Sequence, residues 1–206
     1  MQILTLKQLE IATFCHSSQF GMLMKRFHFF PKKINGKFAL IHRIHPGIQL
    51  VLFEDFSELT KTFWDHYLMN LDEHIIMDPE FTYENNHIGG GCPPIETNYG
   101  WLFIYHAVNN TPTGLVYTAS AALLDLKNPL KVLGRLRQPL FSPDLPWENE
   151  GPVNNVVFPT GTALFGNDLY IYYGAADRCI GVAKVPLDFL LQELNNSINP
   201  KIINPS

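Results

Sequence analysis

The chain alternates dense apolar runs with short polar breaks. Three of the runs read alike: Gly36-Lys37-Phe38-Ala39-Leu40-Ile41-His42-Arg43, Gly100-Trp101-Leu102-Phe103-Ile104-Tyr105-His106-Ala107, and Asn167-Asp168-Leu169-Tyr170-Ile171-Tyr172-Tyr173-Gly174. Each is entered through a Gly or Asn-Asp turn, and each is rich in the aromatic and β-branched residues that favour strands. Phe38, Leu102 and Leu169 hold equivalent places, 64 and 67 residues apart, so one supersecondary unit is repeated. The flanks repeat as well. A proline-marked strand is expected before each run, at 29–34, 92–95 and 156–160, and a further strand after it, at 48–53, 115–124 and 179–185.

Several short strands per unit, separated by turn residues, describe the blade of a β-propeller. A unit of this length is long for a blade and implies long loops between strands. Only 57–67 and 187–195 carry helical patterns, too few for a parallel α/β sheet. The expectation is therefore an all-β chain forming a single partial propeller domain over 1–206. Its repeats lie near 25–85, 86–150 and 151–190. An atypical segment, 1–24, precedes them, and 187–206 forms a C-terminal tail.

Composition narrows the function. With 46% hydrophobic and 17% charged residues, the 206-residue chain has enough apolar material for a real core and too little charge for disorder. A net charge of -4 provides no broad basic field, so nucleic acid and anionic membrane are not expected partners. No stretch of 18 apolar residues exists to span a bilayer, and the first ten residues lack a signal-peptide pattern. Cys15, Cys92 and Cys179 are far apart and form no Cys-x-x-Cys pair, which argues against a zinc site and for a reducing, cytoplasmic setting. The eight histidines are scattered without metal-ligand spacing, so no metal or cofactor is implied. Aromatic residues at 13% suit stacking on sugar rings.

Four runs carry a more specific signal. They are Phe30-Pro31-Lys32-Lys33-Ile34-Asn35-Gly36-Lys37 leading to His42-Arg43; His87-Ile88-Gly89-Gly90-Gly91-Cys92-Pro93-Pro94-Ile95-Glu96-Thr97 leading to His106; Ala121-Ala122-Leu123-Leu124-Asp125-Leu126; and Asn155-Val156-Val157-Phe158-Pro159-Thr160-Gly161 leading to Tyr172-Tyr173-Gly174-Ala175-Ala176-Asp177. In this order they closely resemble glycoside hydrolase family 130, the β-mannoside phosphorylases and β-mannosidases built on a five-bladed β-propeller. The resemblance covers roughly 25–190, about three of the five blades.

The resemblance implies an inverting β-mannoside phosphorylase. Such an enzyme cleaves a β-mannoside oligosaccharide with inorganic phosphate as co-substrate and releases α-mannose 1-phosphate. Phosphate needs several cationic or hydroxyl donors in one cluster. The matching positions are Arg43, His106, Tyr117, His87 and Lys25, with Asp177 and Glu148 as sugar-binding candidates. Two positions depart from the family pattern: Lys25 stands where an Arg is usual, and His87 stands where a Lys is usual. A third departure is the Glu-Asp-Pro-Arg motif that carries the general acid, which is absent. Met77-Asp78-Pro79-Glu80 is superficially similar but lies in the wrong repeat, so no catalytic acid is assigned, and the general acid Asp is expected upstream. The chain then resembles a C-terminal portion of the family, and alone it is expected to be inactive. A β-mannosidase of the same family and a non-catalytic carbohydrate-binding propeller portion stand as the alternatives. The open edges of a partial propeller are compatible with a homo-oligomer.

Three further features have plainer expected roles. Gly89-Gly90-Gly91 is followed at once by Pro93-Pro94 and marks a tight approach to the propeller channel rather than a phosphate-cradling loop. Asp125 and Asp188 occupy similar repeat positions and are expected to be blade turns.

Overall fold

The computed structural model describes residues 25–198; the atypical segment at 1–24 and the last residues of the tail lie outside that span. Three antiparallel meanders follow one another. The first sheet is β1 (Lys25–Phe29), β2 (Phe38–Arg43), β3 (Ile48–Phe53) and β4 (Ile75–Met77), in that order across the sheet. The second is β5 (His87–Gly90), β7 (Gly100–Thr111), β8 (Gly114–Leu124) and β9 (Val132–Arg135), with β6 (Ile95–Thr97) also pairing with β7. The third is β10 (Val157–Phe165), β11 (Asp168–Ala175) and β12 (Cys179–Pro186). Each repeated apolar run is the second-position strand of its sheet.

The long strands are apolar on both faces because both faces are covered. On β7, Trp101, Phe103, Tyr105 and Ala107 point toward the first sheet, where they share a core with Ile41, Ile48 and Leu50. Leu102 and Ile104 point the other way, toward Leu169 and Ile171 of the third sheet. Burying one such large side chain contributes about 1.5–3 kcal/mol. β7 and β8 therefore anchor the described region.

Two of the proline-marked strands begin earlier than the sequence suggests. β1 ends at Phe29, before Pro31, and β5 ends at Gly90, before Pro93 and Pro94. Proline has no N–H to give a ladder, so these strands stop short of it. Pro159 does lie within β10, an outer strand of its sheet, and the pairing register shifts between Pro159 and Gly161.

Among the described residues three α-helices complete the picture: α1 (Lys61–Met69), α2 (Pro146–Asn149) and α3 (Leu187–Ile198). The helical pattern at 57–67 divides in two. Asp55 caps a short 3-10 turn over Phe56–Glu58, and Thr60 then caps α1 by accepting from Phe63 N. α3 occupies the first part of the expected tail. It packs Leu190, Leu191 and Leu194 onto the core shared by the second and third sheets. Among the described residues no helix is long and apolar enough to cross a membrane.

Candidate functional site

Antiparallel pairing places a set of polar residues on one face of the second sheet. Gly89 pairs with His106 and His87 pairs with Val108 across β5 and β7; Val108 pairs with Tyr117 and His106 with Ala119 across β7 and β8. Directly paired residues share a face, and so do residues two apart along a strand. His87, Gly89, His106 and Tyr117 therefore lie on the face that carries Leu102 and Ile104 further down. The buried apolar row turns polar at the end where β5 begins.

The rings meet there. His87 lies 6.0 Å from His106 and 6.4 Å from Tyr117, ring centre to ring centre and nearly perpendicular to both. His45, in the turn after β2, lies 5.4 Å from His87. Phe158 of β10 closes the third side, 4.4 Å from His106 and 6.4 Å from Tyr117. Arg43 arrives from the end of β2: its Cδ is 3.1 Å from the point a Gly89 β-carbon would occupy, and His106 Cε1 is 2.5 Å from that point. Only a residue without a side chain lets the two approach together. A β-carbon on Gly90 would meet His28 Cδ2 at 2.5 Å, and one on Gly91 would meet Pro159 Cβ at 2.9 Å.

His106 is fully buried at the base of the group, in the middle of β7 rather than at its end. Arg43, His87 and Tyr117 are half-buried above it. Four of the five residues expected to hold phosphate are thus neighbours. The fifth, Lys25, pairs through its backbone with Arg43 in the first sheet, and its side chain lies outside what is described. The chemistry of the group suits an anion: a guanidinium fork, imidazoles and a phenol are all donors, and Phe158 excludes water from one side.

Asp177 stands at the tip of the β11–β12 hairpin, exposed, at the end of the third sheet where Val157 pairs with Ala175. Ala176 and Asp177 both have positive φ, 50° and 52°, and Arg178 N donates to Ala175 O at 3.0 Å. Asp accepts that conformation readily; Ala does so at a cost of about 1 kcal/mol. Ala176 is held there by Val156 O, which accepts from its N–H, and by Gly151, where any side chain would collide with Ala176 O. The same segment meets the cluster, since Tyr117 N donates to Asn155 O at 2.9 Å. The 151–156 loop therefore fixes the Asp177 turn relative to Tyr117.

For Glu148 the structure shows a different use of the carboxylate from the expected sugar contact. It is buried in α2, where Oε2 accepts from Asp144 N and Leu145 N at 2.8 and 2.9 Å and Oε1 accepts from Tyr173 Oη at 2.6 Å. Burial pushes this carboxyl up, and the three hydrogen bonds outweigh it, leaving it below the ordinary carboxylate range. Burial, with the Glu148 bond and charge added, lifts the Tyr173 hydroxyl to about 12. The pair anchors the loop that carries Asn155. Asp78 packs its carboxylate on Gly47, and Asp125 closes a turn by accepting from Lys127 N and Asn128 N, both at 2.9 Å. Among the described residues no group of three or more His, Cys, Asp or Glu is arranged to hold a metal.

Sequence reasoning passed over His45, Asn86 and Phe158. The last lay inside a quoted motif, but an apolar residue gives no chemical signal until its ring is seen against two donors.

Comparison with known proteins bears on this arrangement. A model of glycoside hydrolase family 130, described as beta-1,4-mannooligosaccharide phosphorylase, matches residues 2–196. The chain is 42% identical over 154 residues to the 1,2-beta-oligomannan phosphorylase of Thermoanaerobacter sp. (strain X514), covering 75% of this chain and 48% of that protein. It is 36% identical over 163 residues to the beta-1,4-mannooligosaccharide phosphorylase of Ruminococcus albus, covering 77% of this chain and 47% of that protein. Among solved structures it is similar to the beta-1,2-mannobiose phosphorylase from Listeria innocua in complex with beta-1,2-mannobiose. That match has a TM-score of 0.70 at 31% identity, over 83% of this chain and 46% of that one. The chain spans about half the length of the curated relatives it matches.

Proposed function

The chain belongs to glycoside hydrolase family 130, and from that premise we propose that it carries the phosphate-binding side of an inverting β-mannoside phosphorylase. The family is built on a five-bladed propeller, and the three meanders amount to about half of it. The observation that carries the proposal is the convergence of Arg43, His87, His106 and Tyr117, from two sheets, around Gly89.

In the reaction, a phosphate oxygen attacks the anomeric carbon of a β-mannoside from the face opposite the leaving oxygen. The C–O bond to the departing sugar breaks as an acid delivers a proton to that oxygen, and α-mannose 1-phosphate forms. The reaction is a glycosyl transfer to phosphate, and it needs no cofactor. Arg43 supplies the fixed charge and a two-pronged contact. Tyr117 and the imidazoles supply single donors. Asp177 faces the sugar, where a carboxylate accepts from two neighbouring hydroxyls. The proton donor is assigned to none of these residues. A cytoplasmic setting fits the free Cys92 and Cys179.

The test is calorimetric titration of the full chain with inorganic phosphate. The expected result is saturable binding, displaced by sulfate and weakened about tenfold in Arg43→Lys, which keeps the charge and loses the fork. Absence of binding overturns the reading. Incubation with phosphate and β-1,2-mannobiose is expected to release no mannose 1-phosphate; turnover near ~1 s⁻¹ would place the acid among this chain's own carboxylates.

A further inference from the structure

The entry to β5 fixes more than a strand. Asn85 extends the β5–β7 ladder through its side chain: its Oδ1 accepts from Asn110 N at 2.7 Å, and its Nδ2 donates to Asn110 O. Asn86 N donates to Val108 O at 3.0 Å, so the Asn86 backbone is fixed as well. From that position Asn86 Oδ1 lies 2.6 Å from Nδ1 of His87.

An amide oxygen can only accept, so this contact puts a proton on Nδ1. A neutral imidazole has one N–H. With that proton on Nδ1, Nε2 of neutral His87 is a lone pair and repels an anion that offers only acceptors. The imidazolium carries a proton on both nitrogens, and its Nε2–H can donate. An imidazole not held this way has another neutral form, with the proton on Nε2, which donates at any pH.

We propose that Asn86 is a positioning residue that excludes the Nε2–H form of neutral His87, so that His87 contacts a bound oxyanion dianion only when protonated. This rests on reading the cluster as a phosphate site. Among the described residues, the titratable and charged groups near His87 include His45, His106, Tyr117 and Arg43, with Lys25 at the β1 position paired with Arg43. Arg43 and any charged neighbour disfavour protonation of His87 when the site is empty, and a dianion favours it. Anion binding therefore takes up a proton. Other histidines border the site, so the comparison between variants, not the slope of one protein, isolates Asn86.

The probe is sulfate, which keeps its two charges across the range, with inorganic phosphate beside it. Affinity is measured between pH 6 and 8.5 for the full chain and for Asn86→Ala and Asn86→Asp. The wild-type chain is expected to lose roughly tenfold in sulfate affinity over this range, the size of one charge-assisted contact. Asn86→Ala should lose less than about threefold, because its neutral ring can donate from Nε2. Asn86→Asp keeps the acceptor and adds a charge, so its steep fall should return, displaced to higher pH. Ring ¹⁵N resonances above pH 8 should show the Nδ1–H form in the wild type and in Asn86→Asp, and a shift toward Nε2–H in Asn86→Ala. Parallel affinity profiles in the wild type and Asn86→Ala, or an Nε2–H ring in the wild type, would overturn the inference while leaving the phosphate site standing. If no variant bound either anion, the phosphate reading would fall and this role with it, even with the Nδ1–H form observed.

Discussion

Gly89 and His106 face each other across the β5–β7 ladder, and a β-carbon on Gly89 would sit 2.5 Å from His106 Cε1. The same β-carbon would meet Arg43 Cδ at 3.1 Å. Gly89 is what lets a cation from one meander and an imidazole from the next border a single space.

Gly89→Ala is therefore expected to damage the site more than the fold. Gly89 lies within β5, so the substitution acts through space rather than through backbone strain. Overpacking of this kind costs about 1–3 kcal/mol. Displacing both donors should weaken phosphate binding by roughly tenfold or more. Urea unfolding and phosphate titration of the variant measure the two effects. An unchanged phosphate affinity would mean that Arg43 and His106 do not act together.

His42 gives a prediction in pH. It is fully buried beneath α1, with Nε2 2.6 Å from Tyr67 Oη. Burial, with a smaller contribution from His74, lowers its pKa from 6.5 to about 3. The unfolded chain therefore binds a proton at this site between about pH 6.5 and 3 that the folded chain refuses. Stability is whole above 6.5 and falls as pH drops through that window, by about 1.4 kcal/mol per unit from this group. Chemical denaturation at pH 7 and pH 5 should show a drop of about 2 kcal/mol from this residue, absent in His42→Gln, which keeps a hydrogen-bonding group for Tyr67 without a titrating ring. Equal pH slopes in the two proteins would assign the acid sensitivity elsewhere.

A third prediction concerns the buried polar group behind β7. Arg135 Nη2 donates to Glu84 Oε2 at 2.8 Å, and Arg135 Nε donates to Tyr105 Oη at 3.1 Å. Tyr105 Oη donates to Glu84 Oε1 at 2.8 Å, and Glu84 Oε2 also accepts from Glu80 N and Phe81 N. Every oxygen of this carboxylate is used. Arg135→Met should cost about 3–5 kcal/mol, because it strands a buried charge. Glu84→Gln on top should add much less than it costs alone, with a coupling of about 0.5–3 kcal/mol. Strict additivity in denaturant melts would show that the two side chains stabilise the fold independently.

The contrast between these groups explains what the sequence made legible. The repeat of apolar runs placed β2, β7 and β11, because a strand covered on both faces leaves a continuous hydrophobic signature. The motifs held Arg43, His87 and His106, the family resemblance added Tyr117, and pairing register then brought the four together. The strand ends before Pro31 and Pro93 were misread, since proline marks the end of pairing as readily as its course. Glu84 and Arg135 are 51 residues apart with no local signal for their pairing. Glu148 reads from the sequence as a sugar-binding candidate, because nothing in Trp147-Glu148-Asn149 announces that two backbone N–H groups and Tyr173 converge on it. His87 was legible as a departure from the family pattern, yet its proton position depends on Asn86, whose side chain orientation no sequence states.

The last prediction separates two roles for Asp177. Its φ of 52° and its exposure suit a turn residue, while its place beside the 151–156 loop suits contact with sugar. Asp177→Asn divides the two. Asn adopts positive φ at least as readily as Asp, so the hairpin should keep its stability within about 0.5 kcal/mol. The charge is lost, and with it the preference for two hydroxyl donors at once. Hydrogen bonds to a charged group are worth about 1.5–3 kcal/mol, so mannoside binding should weaken by roughly tenfold to a hundredfold. Saturation-transfer NMR with β-1,2-mannobiose reads the affinity, and a thermal melt reads the turn. Unchanged sugar binding with unchanged stability would leave Asp177 as a turn aspartate. A large loss of stability would instead mean that its carboxylate holds the hairpin together, and the sugar contact would have to come from another residue of the loop.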